Sequence, residues 1–134
     1  MATLQNKIDF AVILSVRNAN PNGDPLNGNR PRENYDGLGE ISDVCIKRKI
    51  RNRLMDAGYP IFVQSEDRAV DGFRSLTVRL NGDEVLKKEK DKDVFAHRAC
   101  ENWIDVRAFG QVFAFKGASI ASVGVRGPVS VQSA

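Results

Sequence analysis

Ser42-Asp43-Val44-Cys45-Ile46-Lys47-Arg48-Lys49-Ile50-Arg51-Asn52-Arg53-Leu54-Met55-Asp56-Ala57-Gly58 carries the clearest local signal in the chain. Ile46, Ile50 and Leu54 recur at every fourth position, which makes a narrow apolar stripe on a helix. Ser42 is a suitable N-cap, and Asp43 complements the positive end of the helix dipole. Gly58 ends the pattern, with Pro60 behind it. The spacing predicts a helix over Ser42–Ala57. Five of the seven residues from Lys47 to Arg53 are basic. At about 100° per residue, Lys47, Arg48 and Arg51 fall on one flank of the stripe, and Lys49 and Arg53 on the other.

Before the helix, Ile8, Phe10, Val12, Leu14 and Val16 alternate, which predicts a strand over Lys7–Arg17. Residues 18–40 then change character, with six asparagines, four glycines and three prolines. Such residues favour turns, so this is a polar loop. After the helix, a second strand is predicted through Ile61-Phe62-Val63. Ser65–Arg74 reads as a short helix, and Ser75–Leu80 alternates like a strand closed by an Asn81-Gly82 turn. Lys87–Asp93 is a solvated mixed-charge run. A second helix is predicted over Asp93–Trp103, capped by Asp93, with Phe95, Ala99 and Trp103 as its buried face. Ile104–Phe115 reads as extended. Ala121–Ala134 reads as a strand kinked at Gly127-Pro128. This order fits an α+β fold: a ferredoxin-like antiparallel sheet with helices on one face.

The chain has 134 residues, with 42% hydrophobic and 28% charged residues, which suits one ordinary globular domain. No apolar run reaches the ~20 residues that span a bilayer, and the N-terminus lacks the apolar core of a signal peptide. A cytoplasmic protein without a membrane partner is expected. Net charge is +3, so the distribution of charge says more than its sum. Cys45 and Cys100 form no C-x-x-C pair and read as reduced structural thiols.

The basic helix suits phosphate contact, by arginine forks and lysine point charges at Lys47, Arg48, Lys49, Arg51 and Arg53. The loop before it offers Asn20, Asn22, Gly23, Arg30 and Arg32, through side-chain amides, close backbone approach and charge. Composition leaves that loop open between a structural crossover and a binding element. It has no phosphate-loop spacing, which argues against a nucleotide triphosphate site. Asp105 and Arg107, two apart on the predicted strand, share a face and read as a structural ion pair beside a core phenylalanine. Asp24, Asp36 and Asp43 carry no metal-site spacing, and the single histidine, His97, reads as a surface or packed residue. The reading assigns no catalytic residue, no metal site and no cofactor.

Three groups of residues resemble one family. They are Asn20-Pro21-Asn22-Gly23-Asp24-Pro25 with Asn27-Gly28-Asn29-Arg30-Pro31-Arg32; Ile41 through Asn52; and Asp105-Val106-Arg107-Ala108-Phe109-Gly110 with Val125-Arg126-Gly127-Pro128-Val129-Ser130-Val131-Gln132. Together they resemble the repeated backbone subunit of the type I-C CRISPR interference complex (Cascade), in the RAMP superfamily. The resemblance implies a single RNA-recognition-like palm over residues 1–134, with 65–92 as a variable insertion. It implies no catalytic chemistry. Copies of the chain would line up along CRISPR RNA beside the other subunits of the complex, and target DNA would be met through the guide. Arg107 joins the candidate RNA contacts by its place in a motif. Family members continue past the last motif, where a hairpin that kinks the guide would lie, so an N-terminal fragment is expected. The rival reading is a RAMP-type endoribonuclease that processes CRISPR RNA; it would need a base or metal-holding acids. A general phosphate-binding enzyme domain has only the glycine-containing loop in its favour.

Overall fold

The computed structural model describes residues 4–114 and 122–134. It divides into two compact units, Met1–Ile41 and Ser42–Ala134.

In the second unit, helix α1 spans Asp43–Asp56. Ser42 Oγ accepts the Cys45 N–H at 3.3 Å, as a capping serine should. The helix stops at Gly58, whose φ of +83° lies in the left-handed region. Ile46, Ile50 and Leu54 are half-buried, and no residue of α1 is fully buried.

Helix α3 spans Lys92–Asn102, and a short helix α2 precedes it at Leu76–Asn81. The cap of α3 is Asp91 rather than Asp93, because Asp91 Oδ1 accepts from Asp93 N at 2.9 Å and from Val94 N at 3.0 Å. Phe95, Ala99 and Trp103 are buried as their spacing indicates. Phe62 is the hub of the core: its ring centroid lies 4.7 Å from that of Trp103 and 5.1 Å from that of Phe113. Phe95 closes the cluster, 5.1 Å from Phe113 edge to face. Leu80, Leu86, Val106 and Val123 complete this apolar centre.

Helix α4 (Ile104–Phe109) runs directly into strand β3 (Gly110–Phe113), which pairs antiparallel with β4 (Val123–Arg126). The register sets Gly110 opposite Arg126 and Phe113 opposite Val123. Gly110 makes the junction at φ +78°, and a Cβ there would collide with the Val125 carbonyl and sit 2.8 Å from Gly127 N. Two of the motif strings therefore meet backbone to backbone.

Several expectations are corrected. Ile104–Phe115 is half helix and half strand; Phe115 lies outside the described residues. Ile61 and Phe62 are buried and Val63 is half-buried, but the segment forms no strand, since its Phe62 and Val63 N–H groups donate to the Asp105 side chain instead of a ladder. The Ser75–Leu80 segment is helix α2: Ser75 Oγ caps Val78 N at 3.2 Å, and Gly82 is the C-cap. Leu76 and Leu80, four apart, decide the period there. Ser65–Arg74 holds only a 3₁₀ turn at Glu66–Arg68. The last strand stops at Arg126, before Gly127-Pro128; residue 121, its expected start, lies outside the described residues.

In the first unit, Lys7–Arg17 forms no strand. Its alternating apolar residues are exposed and have no ladder partner among the described residues. Alternation specifies two faces, whereas a strand also needs cross-strand hydrogen bonds. The 18–40 stretch is organised as a small hairpin, with β1 (Gly23–Asp24) antiparallel to β2 (Arg30–Pro31). Asp24 caps the intervening turn through Leu26 N at 3.0 Å. The class is α+β. Among the described residues the strands form two separate two-stranded pairs, and a ferredoxin-like strand order is not traced.

Candidate nucleic-acid interface

The two flanks of α1 differ in what their cations already hold. On one flank, Lys47 Nζ lies 3.0 Å from Asp43. Arg48 Nη1 donates to the Val63 carbonyl at 2.8 Å, and burial, with the charge of Arg51, pushes the Arg48 pKa down. Arg51 Nε donates to Asp105 Oδ2 at 2.9 Å, and its guanidinium carbon lies 5.1 Å from the Phe109 ring centroid. On the other flank, Lys49 and Arg53 are exposed and make no ion pair among the described residues. The acid at that end of the helix, Asp56, is bound by Arg68.

Asp105 organises this region. Its side chain is 0% exposed. Oδ1 accepts from Phe62 N at 2.7 Å, and Oδ2 accepts from Val63 N at 3.0 Å and from Arg51. A buried carboxylate is tolerable when each oxygen is hydrogen-bonded and a cation balances the charge. Its partner is therefore Arg51, not Arg107. Arg107 is exposed near the end of α4, with no ion pair among the described residues.

Arg79 is a second buried cation, only 4% exposed and missed by the sequence reading. Nη1 donates to Phe62 O at 2.9 Å and Nη2 to Asp71 Oδ1 at 2.9 Å. The signal for it was the helical spacing of Leu76 and Leu80, which the strand expectation overrode.

In the first unit, Asn20 Nδ2 donates to Asn29 O at 2.7 Å, and the Asn22 carbonyl accepts Arg32 N at 2.8 Å. Gly23 pairs with Pro31 where the Asn29 side chain leaves no room for a Cβ. Arg32 Nε holds Glu40 at 3.0 Å, and that hydrogen bond raises the Arg32 pKa. These four build the hairpin. Arg30 is exposed and makes no ion pair among the described residues.

Among the described residues, no group of three or more His, Cys, Asp or Glu side chains is placed to hold a metal ion, and no helix is long and apolar enough to cross a membrane.

The family described as CRISPR-associated protein Cas7 matches this sequence over residues 6–134, and the chain belongs to that family. It is similar to the CRISPR-associated protein Cas7 of Haloferax volcanii, at 33% identity over 118 residues. The match covers 87% of this chain and 34% of that protein, so the chain spans about a third of the length of the curated relative.

Proposed function

We propose that the chain is the RNA-binding part of a non-catalytic backbone subunit in a CRISPR interference complex of type I-C. It holds the phosphates of CRISPR RNA and leaves the bases to pair with target DNA. Its partners are then the guide, further copies of itself and the other subunits, in the cytoplasm. The observation that carries this reading is the Lys49/Arg53 flank of α1: two cations one turn apart, exposed and not neutralised by the protein's own acids. Phosphate contacts of this kind position an RNA without reading its sequence. Arg107 and Arg30 are further exposed cations; Lys47, Arg48 and Arg51 serve as supports with donors to spare.

The test is anisotropy of labelled single-stranded RNA at two salt concentrations. Affinity should fall on the order of tenfold or more between low and physiological salt, with little dependence on sequence. Equal affinity at both salts would overturn the reading. Incubation with repeat-containing RNA, with and without Mg²⁺, should leave the RNA intact; reproducible cleavage would favour the endoribonuclease.

A further inference from the structure

All 17 acidic residues of the sequence lie at or before Asp105. The cations beyond that point are Arg107, Lys116 and Arg126. Arg107 and Arg126 are exposed, and neither makes an ion pair or a side-chain hydrogen bond among the described residues.

Packing brings these two arginines to one joint. Arg126 stands opposite Gly110 in the β3–β4 ladder. Just past the ladder, Val129 N donates to the Ala108 carbonyl at 2.9 Å, and a Cβ on Gly127 would collide with that same carbonyl. Arg107 and Arg126 each precede a residue of this contact, Ala108 and Gly127. Backbone packing thus fixes where both cations start, and neither has an acid to balance it. Like charges held in this way repel each other, and an anion bound between them relieves the repulsion.

The ladder sets what lies beside Arg126. Strand side chains alternate between two faces. Phe113 and Val123, paired and buried, mark the core face. The pairs Val112 with Gly124 and Gly110 with Arg126 therefore share the outer face. Two of these four positions have no side chain, and a Cβ at Gly124 would meet nothing within 4 Å. The outer face is an open strip of backbone with a cation at one end.

We propose that this outer face of β3–β4, with Arg126 and the neighbouring Arg107, is a second site for the phosphodiester backbone of a nucleic-acid strand. Guanidinium forks take the phosphate oxygens, and the glycines let the strand approach the ribbon closely. That the strand is guide RNA rests on the function proposed above; a DNA strand carries the same phosphates.

The test is anisotropy of labelled oligouridylate and oligothymidylate, with thermal melting on the same samples. Arg107→Ala with Arg126→Ala should lower the salt slope by about two units, one for each phosphate contact. The same loss should appear when Lys49 and Arg53 are also alanine, because separate sites add. Arg107→Lys with Arg126→Lys keeps both charges and should restore the slope. Gly124→Glu puts a carboxylate in the open strip and should weaken binding several-fold. Gly124→Gln should not, and neither should Val70→Glu, which makes the same change of charge at an exposed position in another segment. Melting should hold in all of these variants, since the replaced side chains are exposed and Gly124 has room. Tighter binding of oligouridylate identifies RNA as the strand, tighter binding of oligothymidylate identifies DNA, and equal binding means that the phosphates alone are held. An unchanged salt slope without the two arginines, or equal weakening by Gly124→Glu and Val70→Glu, would overturn this site and leave the Lys49/Arg53 surface standing. Absence of salt-dependent binding by the native chain would overturn both.

Discussion

Arg51 Nε sits 2.9 Å from Asp105 Oδ2, and these side chains are only 12% and 0% exposed. They join α1 to α4, and through Phe62 N and Val63 N they also fasten the buried segment between Pro60 and Gln64. A cluster of positive charge on a helix thus divides into residues that hold the protein together and residues that face outward.

Removing Asp105 should be among the costliest single changes. Asp105→Ala leaves a partly buried guanidinium and two backbone N–H groups without their acceptor. A loss of roughly 3–5 kcal/mol is expected, as for other broken buried pairs. Urea denaturation measures it, and a loss under about 1 kcal/mol would show that the pair is solvent-screened.

Lys49→Ala with Arg53→Ala should weaken RNA binding and leave the melting curve in place. Exposed charges are usually worth less than ~0.5 kcal/mol of stability, and alanine favours the helix. Each lost phosphate contact should lower the salt slope by about one unit. The opposite flank behaves differently. Replacing Lys47, Arg48 and Arg51 together should lower the melting temperature, because Arg48 and Arg51 hold Val63 O and Asp105. RNA affinity measured with thermal melting on the same samples separates the two flanks. An unchanged salt slope in the Lys49/Arg53 variant would remove that flank from the interface.

Acid should destabilise the second unit through Asp71. Hydrogen bonds from Arg79 hold its carboxyl below the usual value, outweighing the upward push of burial. A carboxyl with a depressed folded pKa adds stability above its unfolded pKa of about 3.9, and that stability is lost as pH falls through the folded value. Asp83 acts in the same direction: burial pushes its pKa up, but hydrogen bonds from Leu86 N, Asn102 and Val85 N keep it low. Stability should therefore fall below about pH 4, and Asp71→Asn should flatten that fall while being less stable at neutral pH. Parallel pH profiles for the two proteins would contradict the assignment.

What the sequence made legible follows from where the signals are local. Helix α1 was readable because Ser42, the four-residue stripe and Gly58 all agree within one segment. The Phe95–Ala99–Trp103 face was readable for the same reason. The 61–63 segment was misread as a strand because its apolar run is the same whether backbone N–H groups meet a ladder or a carboxylate 42 residues away. The partner of Asp105 was misassigned because proximity in sequence suggested Arg107, while the pairing that forms spans 54 residues. Of the basic cluster, composition showed that it was charged; only packing shows which charges are committed.

Gly110 joins α4 to β3, and its replacement tests whether the two meeting motifs are a structural joint. Its φ of +78° with ψ of 170° is a region that side-chain-bearing residues avoid, at a cost on the order of 1–3 kcal/mol. A Cβ would add a collision with the Val125 carbonyl across the β3–β4 pair, where backbone cannot easily give way. Gly124 is the control. It lies on β4 opposite Val112, and a Cβ there meets nothing within 4 Å. Gly124→Ala should therefore be near neutral, within about 0.5 kcal/mol. Gly110→Ala should lower the urea midpoint by at least the strain cost and also loosen amide protection along β3 and β4, because the defect sits at the first rung of that ladder. Equal midpoints for the two variants would mean that the joint relaxes around a side chain, and that Gly110 is not needed for its conformation.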